Sequence, residues 1–425
     1  MSQMRPATSD SQHKADGAVC HASHLPPTAA CGAFLTRLPS AAMSGQVLRV
    51  IINDRILRGP RTGIGHYIAE LTARVPLADP AIRLFGPFAR LARNRERLTT
   101  LNHSRAPRQG ARQDIAPWLR FVIETGYQAA FRSVGRALRC RIYHEPAHVP
   151  GPWGGITLTT IHDLSVLRFP QWHPADRVRW QERGLKRAVA QSAHFIAVSA
   201  STKDEMTTLL GVRPERVTVI HLGAREIFHP RPRAAVEAWL AARNLSAKYL
   251  LYVGAIEPRK NLPGLVEAYA GLATKLRAQF PLLIAGGQAW GAVDIAGIAH
   301  SHGVAEQVRL LGYQGDESLA MLYGGARALV WPTFYEGFGL PPLEAMASGT
   351  PVIASATSSV PEVVGEAGLL VEPNDPAAIR AAMESVIEDD ALAERLAHLG
   401  TRRAAEFSWN RCAAEHAALY RRLVE

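Results

Sequence analysis

The feature that most restricts how this chain can fold is an alternation. Short apolar runs rich in β-branched residues recur along it, each followed by a longer stretch whose apolar positions have helical spacing. Parallel sheets require this pattern, because parallel strands are joined by long crossovers, usually helical, and strands buried on both faces read as continuous apolar runs. In the first half, strands are expected at Val47–Asn53, Ile156–His162, His194–Ser199 and Arg216–His221. In the second half they are expected at Tyr249–Gly254, Pro281–Ala285, Val308–Gly312, Ala328–Pro332 and Pro351–Ala354. Most of these runs close on glycine or a helix-capping residue. That puts loops at the strand carboxyl ends, where open α/β sheets bind ligands.

Two such series in 425 residues imply two domains. The break falls near Ile227–Ala247, where Phe228-His-Pro-Arg-Pro-Arg233 is interrupted by proline. The expected architecture is α/β, with two Rossmann-like domains (residues 44–230 and 231–408) facing each other across a cleft. A last helix over 409–425 has Trp409, Cys412, Ala413, His416, Leu419, Tyr420 and Leu423 near helical spacing. It can pack on its own domain or back across the hinge. Residues 1–43 lack the apolar core of a signal peptide and read as a polar, disordered tail, with Met43 a natural start for the globular part. No stretch approaches the roughly 20 apolar residues that span a bilayer, so any membrane association is expected to be peripheral. Cys20, Cys31, Cys140 and Cys412 have no CxxC or Cys/His ligand spacing. They fit free thiols in a reducing compartment, the cytoplasm.

Net charge is +11, and between Arg83 and Arg141 thirteen arginines face three acidic residues. Such a surface suits an anionic partner, or is simply a solvated basic face. Within it, Pro117–Arg139 mixes aromatics with charge of one sign. This is either a helix resting on an anionic membrane or a core-facing helix with a basic outer side.

The most informative stretch runs from Val330 through Glu336-Gly-Phe-Gly-Leu-Pro-Pro-Leu-Glu344 to Gly349-Thr-Pro-Val-Ile-Ala354. A buried strand enters a glycine-punctuated loop, and a helix is expected to start at Pro341 or Pro342. Backbone N–H groups of Gly337, Phe338, Gly339 and Leu340 would then line an anion-binding turn. Glu336 lies before the loop and Glu344 in the first helical turn, placed to accept hydroxyls of a hexose and a ribose. Glu344 alone would also serve as a complement to the helix dipole.

A second piece is the strand ending at Gly254, followed by Ala-Ile-Glu-Pro-Arg259-Lys260-Asn261. Adjacent cations at a strand end can neutralise a diphosphate, arginine bidentately. In the first half, Arg61-Thr-Gly63-Ile-Gly65-His-Tyr67 opens a helix, and its glycines admit a ligand close to the backbone. The spacing of Gly59, Gly63 and Gly65 mimics that of short-chain dehydrogenases. Those enzymes also need Tyr-x3-Lys, and none of the ten tyrosines has lysine four residues later. His162-Asp-Leu164 ends the Ile156 strand, where His162 either packs or holds substrate.

Taken together, the Glu336–Glu344 string with Gly349-Thr-Pro-Val-Ile, Gly254-x4-Arg259-Lys260-Asn-Leu, and Thr62-Gly-Ile-Gly resemble the family 4 retaining glycosyltransferases of GT-B fold, over roughly residues 45–425. The His162-Asp-Leu164 element and the Arg61–Tyr67 loop resemble the bacterial branch rich in GDP-mannose-dependent O-antigen and exopolysaccharide mannosyltransferases. The resemblance implies that Glu344 holds the ribose and Glu336 the donor hexose, with the backbone of Gly337, Phe338 and Gly339. Arg259 and Lys260 would bind the leaving diphosphate, Gly63 and Gly65 would admit phosphate or acceptor, and His162 would touch the donor sugar. It implies no metal, in keeping with the lack of an Asp-x-Asp motif in the sequence. The implied partners are a nucleotide-sugar donor and a glycan or polyprenyl-diphosphate-linked acceptor, not nucleic acid. The alternatives are another hexose donor such as UDP-glucose on the same fold, or a non-catalytic nucleotide-sugar-binding subunit.

Overall fold

Residues 47–58, 63–86, 117–291 and 293–425 are described by the computed structural model, and the apolar runs within them are strands of two wholly parallel sheets. The first contains β1 (Leu48–Ile52), β2 (Ile82–Phe85), β3 (Ile142–Glu145), β4 (Ile156–Ile161), β5 (His194–Ala197) and β6 (Val217–Val219), in the order β2-β1-β3-β4-β5-β6. The second contains β7 (Leu250–Val253), β8 (Leu282–Ala285), β9 (Val308–Gly312), β10 (Ala328–Trp331), β11 (Val352–Ser355) and β12 (Leu369–Val371), in the order β12-β11-β10-β7-β8-β9. This is the two-domain α/β architecture expected of a GT-B chain. The tail at 1–43, the loop residues Gly59 to Thr62 and much of the arginine-rich stretch lie outside the described residues.

Three strands, β2, β3 and β12, were not anticipated. Each breaks the apolar-run rule for a physical reason. Ile82-Arg-Leu-Phe at the edge buries only Ile82 fully, and Leu369–Val371 is a three-residue edge. Ile142-Tyr-His-Glu is buried throughout although half of it is polar, because its polar atoms find partners inside the protein.

Helices α1 (Gly63–Ala78), α2 (Pro117–Ala137), α3 (Ala200–Leu210), α4 (Asp316–Gly325), α5 (Leu340–Ala347) and α6 (Trp409–Arg422) bear on the site. α1 buries Tyr67, Ile68, Leu71 and Val75 against Val50 and Ile52, each such side chain contributing about 1.5–3 kcal/mol. α2 seats Phe131 on Ile51 and Tyr143, so this part of the helix faces the core. No helix among the described residues is long and apolar enough to cross a membrane.

α6 returns to the first half. The chain crosses twice side by side, at Gly223 and at Trp409, and a Cβ on Gly223 would stand 2.2 Å from the Trp409 nitrogen. From there α6 lies along α1, with Arg421 Nη2 donating to Asp79 Oδ1 at 2.8 Å and Arg422 Nη2 to Thr218 Oγ1 at 2.9 Å.

Candidate functional site

In the second sheet β7 and β10 are neighbours, and the crossovers leaving them run to opposite sides. The crevice outside their carboxyl ends is the topological switch point, where open α/β sheets take ligands. Gly254 closes β7. The chain then makes a tight turn at Pro258–Lys260 and places Asn261 in the left-handed region at φ +53°. The Asn261 amide donates to the carbonyls of Pro332 (2.9 Å) and Pro373 (2.6 Å), and the Phe334 amide donates to the Arg259 carbonyl at 2.9 Å. These bonds stitch the loop after β7 to the loop after β10 and bring Arg259 and Lys260 onto Glu336.

The two cations are not bare. Lys260 Nζ bonds Glu336 Oε1, Arg259 Nη1 lies 3.0 Å from Glu336 Oε2, and Arg259 Nε lies 2.6 Å from Glu257 Oε1. The Lys260 ammonium also sits 4.9 Å from the centre of the Trp331 ring. Burial, and then the Arg259 charge, hold Lys260 below its ordinary pKa, while burial pushes Glu257 up. Asp163 completes the cluster. Burial pushes its carboxyl up, but Arg259 and His148 with the Ser165 hydrogen bonds overcome this and hold it well below the usual range. Removing either cation would leave a buried carboxylate under-compensated.

α5 starts at Leu340, not at Pro341 or Pro342, after Gly339 at φ +114°, a backbone state that favours glycine. Glu344 is therefore the fifth residue of the helix, in its second turn and not its first, and the simple dipole-complement role loses its place. Burial pushes the Glu344 carboxyl up to about 7, against the pull of Arg225 and the Tyr323 hydroxyl. Tyr323 OH donates to Glu344 Oε2 at 3.2 Å, and Arg225 Nη2 lies 3.5 Å from Oε1. Arg225 Nη1 also reaches Asp316 Oδ2 at 2.5 Å and His66 Nδ1 at 3.3 Å. Sequence reasoning missed Arg225, Tyr323 and Asp316. They come from the end of the first half and from α4, and no local motif marks them.

From the first half, the carboxyl end of β4 meets the loop before α5. A Cβ on Gly337 would lie 1.6 Å from the His162 carbonyl oxygen, so only glycine fits there. The Gly337 carbonyl accepts from Ser199 Oγ (2.8 Å) and Thr202 Oγ1 (3.2 Å) at the start of α3. Tyr335 OH accepts from the Leu164 amide at 3.0 Å and donates to Glu205. Gly63, at the N-terminus of α1, faces Leu340, at the N-terminus of α5, with 3.6 Å between an added Cβ and Leu340 Cδ1. Gly65 is buried two residues further on, and the Phe338 ring packs near His221 and Phe407.

His162 has a defined protonation state. Its Nε2 lies 2.9 Å from the Pro146 carbonyl, which can only accept, so Nε2 carries the hydrogen and Nδ1 keeps a lone pair. Burial, and then His148, push the imidazole down to about 3, and it is neutral at neutral pH.

Beneath it runs a hydrogen-bonded chain whose direction can be worked out from one end. His416 Nδ1 must donate to the Cys412 carbonyl (2.7 Å), and burial pushes His416 down to about 4, so its Nε2 accepts from Tyr67 OH (2.7 Å). Tyr67 oxygen then accepts from Thr160 Oγ1 (2.9 Å), which accepts from His144 Nε2 (2.7 Å). His144 Nδ1 is left to accept from Tyr420 OH at 2.7 Å. The chain begins and ends on one face of α6, and the Tyr67 ring meets His162 edge-on at 5.0 Å.

Comparison with known proteins gives the family of both halves and the fold. The model "Glycosyltransferase Family 4" matches residues 62–225, and "Glycosyl transferases group 1" matches residues 240–403. The chain is 34% identical over 388 residues to the O-antigen chain mannosyltransferase B of Escherichia coli, covering 88% of this chain and all of that one. It is 32% identical over 263 residues to the serotype-specific mannosyltransferase WbdA of Escherichia coli, covering 61% of this chain and 32% of that longer protein. In fold it is similar to the sucrose-phosphate synthase of Thermosynechococcus elongatus, with a TM-score of 0.69, 23% identity, and coverage of 89% and 99%.

Proposed function

Because this chain belongs to the family 4 glycosyltransferases of GT-B fold, we propose that it transfers mannose, with retention of configuration, from GDP-mannose to a glycan or polyprenyl-diphosphate-linked acceptor in cell-surface polysaccharide synthesis. The observation that carries this reading is Glu336, buried at the β7/β10 switch point, held by Arg259 and Lys260 and roofed by the backbone junction of Gly337 with His162. The two mannosyltransferase relatives support mannose as the sugar.

The chemistry follows from an exchange of partners. Glu336 has two cations on it. When hexose hydroxyls donate to its oxygens, Arg259 and Lys260 gain a competing partner in the donor diphosphate, aided by amide dipoles where α1 and α5 begin. His162 offers the Nδ1 lone pair to a sugar hydroxyl, and ionised Glu344 accepts from the ribose. As the sugar–phosphate bond breaks, negative charge grows on the leaving diphosphate and the cations stabilise it. The acceptor hydroxyl attacks the anomeric carbon on the face the phosphate leaves, and a phosphate oxygen takes its proton. No metal ion enters this scheme. Loss of one such cation costs on the order of 3 kcal/mol, about a hundredfold in rate.

The test is release of GDP from GDP-mannose on a neutral α-mannoside acceptor in EDTA, with the anomeric configuration of the product read by NMR. Turnover is expected in the wild type and a loss of about a hundredfold or more in Glu336→Ala and Lys260→Ala. No turnover, an inverted product, or unimpaired variants would refute the assignment.

A further inference from the structure

Beside Tyr335 the two halves line an open cleft of about 680 Å³. Arg168, Phe169, Asp204 and Glu205 come from the first half and Phe334 and Ser358 from the second. The volume lies in the range of roughly 300–1,000 Å³ usual for small-molecule sites, which favour domain interfaces.

Three features define what it fits. The first is an aromatic ladder crossing from one half to the other. Phe169 and Phe334 line the cavity and are half-buried, and Trp172, outside the lining, joins them by stacking on Phe169 at 4.2 Å and 19° and on Phe334 at 5.6 Å and 24°. The surface that Phe169 and Phe334 leave uncovered is rigid and apolar, and suits the C–H faces of pyranose rings. The second is charge. Asp204, Glu205 and Glu362 line the cavity against the single cation Arg168, a balance of −2 (one minus three) in a chain of net charge +11. Glu205 already accepts from Tyr335 OH and Glu362 from His221 and the Ala200 amide, so the exposed Asp204 is the carboxylate placed to accept ligand hydroxyls, while the sign of the lining disfavours phosphates, nucleotides and acidic lipids. The third is continuity with the transfer site. Ser358, a non-glycine residue held at φ +52°, lines the cavity, and its Oγ accepts from the Glu336 amide at 3.0 Å. A non-glycine residue fixed in that region is a small store of strain of the kind found at ligand sites.

We propose that this cavity is a subsite for neutral hexose units of the acceptor glycan, away from the reacting hydroxyl. The proposal rests on the glycosyl-transfer reading and extends it to the acceptor. The subsite would select for acceptors already carrying several neutral sugars.

The experiment is a calorimetric titration of neutral α-linked mannotriose into the full chain, without donor, for the wild type, Phe169→Ala and Asp204→Arg. Phe169 also packs on Tyr335, whereas Asp204 is exposed and its replacement keeps the fold. Binding by the wild type, weakened about tenfold in each variant, is expected. Mannotriose bearing a phosphate monoester should bind the wild type more weakly than the neutral sugar, and Asp204→Arg should narrow that gap. No wild-type binding, or equal affinity in Asp204→Arg, overturns the proposal. The melting shift given by GDP-mannose is read separately. Its absence would count against the donor reading, whatever the trisaccharide does.

Discussion

At the scale of single residues, burial fixes the ionisation of Glu344 and His162. In the proposed donor site Glu344 must be ionised to accept ribose hydroxyls, and burial holds its pKa at about 7, with Arg225 and Tyr323 opposing. The ionised fraction falls as pH drops through that value, so donor KM should rise as pH is lowered from 8 to 6. Glu344→Gln should have a higher donor KM that no longer varies over this window, and an unchanged pH dependence in that variant would remove Glu344 from the role. His162 is pushed to about 3 and adds no inflection in the same range. Gly337 offers a steric test. A Cβ 1.6 Å from the His162 carbonyl must move backbone, so Gly337→Ala should destabilise by about 1–3 kcal/mol and lower kcat more than it raises donor KM. Normal melting and turnover in Gly337→Ala would mean that the junction of the halves is looser than described.

At the scale of elements, what was readable in the sequence is what lies contiguous in it. The loop from Glu336 to Glu344 and the turn at Arg259–Lys260 are each a strand end and a helix start in one stretch, so periodicity and punctuation located them. Strand β3 was not readable, because Tyr143, His144 and Glu145 are polar residues made burial-tolerant by distant partners, among them Tyr420 and Thr160. The Arg225–Glu344–Tyr323–Asp316 group was hidden for the same reason: its members come from segments far apart, and only the fold brings them together. Nor could composition reveal that Lys260 and Arg259 both lean on Glu336, since two cations and a carboxylate that far apart in sequence have no local relation. Helix α6 was readable as amphipathic, but the face made of Cys412, His416 and Tyr420 closes its polar circuit only inside the first half. Tyr420→Phe leaves His144 Nδ1 without a donor in a buried site. It should cost about 1–3 kcal/mol of stability, read as a lower melting temperature, with kcat lowered through Tyr67 and His162. A melting temperature equal to wild type would mean the circuit does not bind α6 to the first half.

At the scale of the whole molecule, two parallel sheets present their carboxyl ends to one crevice, and neither half holds a complete site. The second contributes Glu336, Arg259, Lys260 and Glu344 to the candidate site; the first contributes His162, Asp163, Arg225 and the N-terminus of α1. The positive groups are balanced by carboxylates, so the proposed function requires sugar recognition and diphosphate binding to be coupled through Glu336. The most direct test of that claim is a calorimetric comparison of GDP-mannose with GDP in EDTA, for the wild type and for Glu336→Gln. The sugar should change affinity in the wild type, and Glu336→Gln should abolish most of that difference. A difference that survives intact in Glu336→Gln would contradict the coupling.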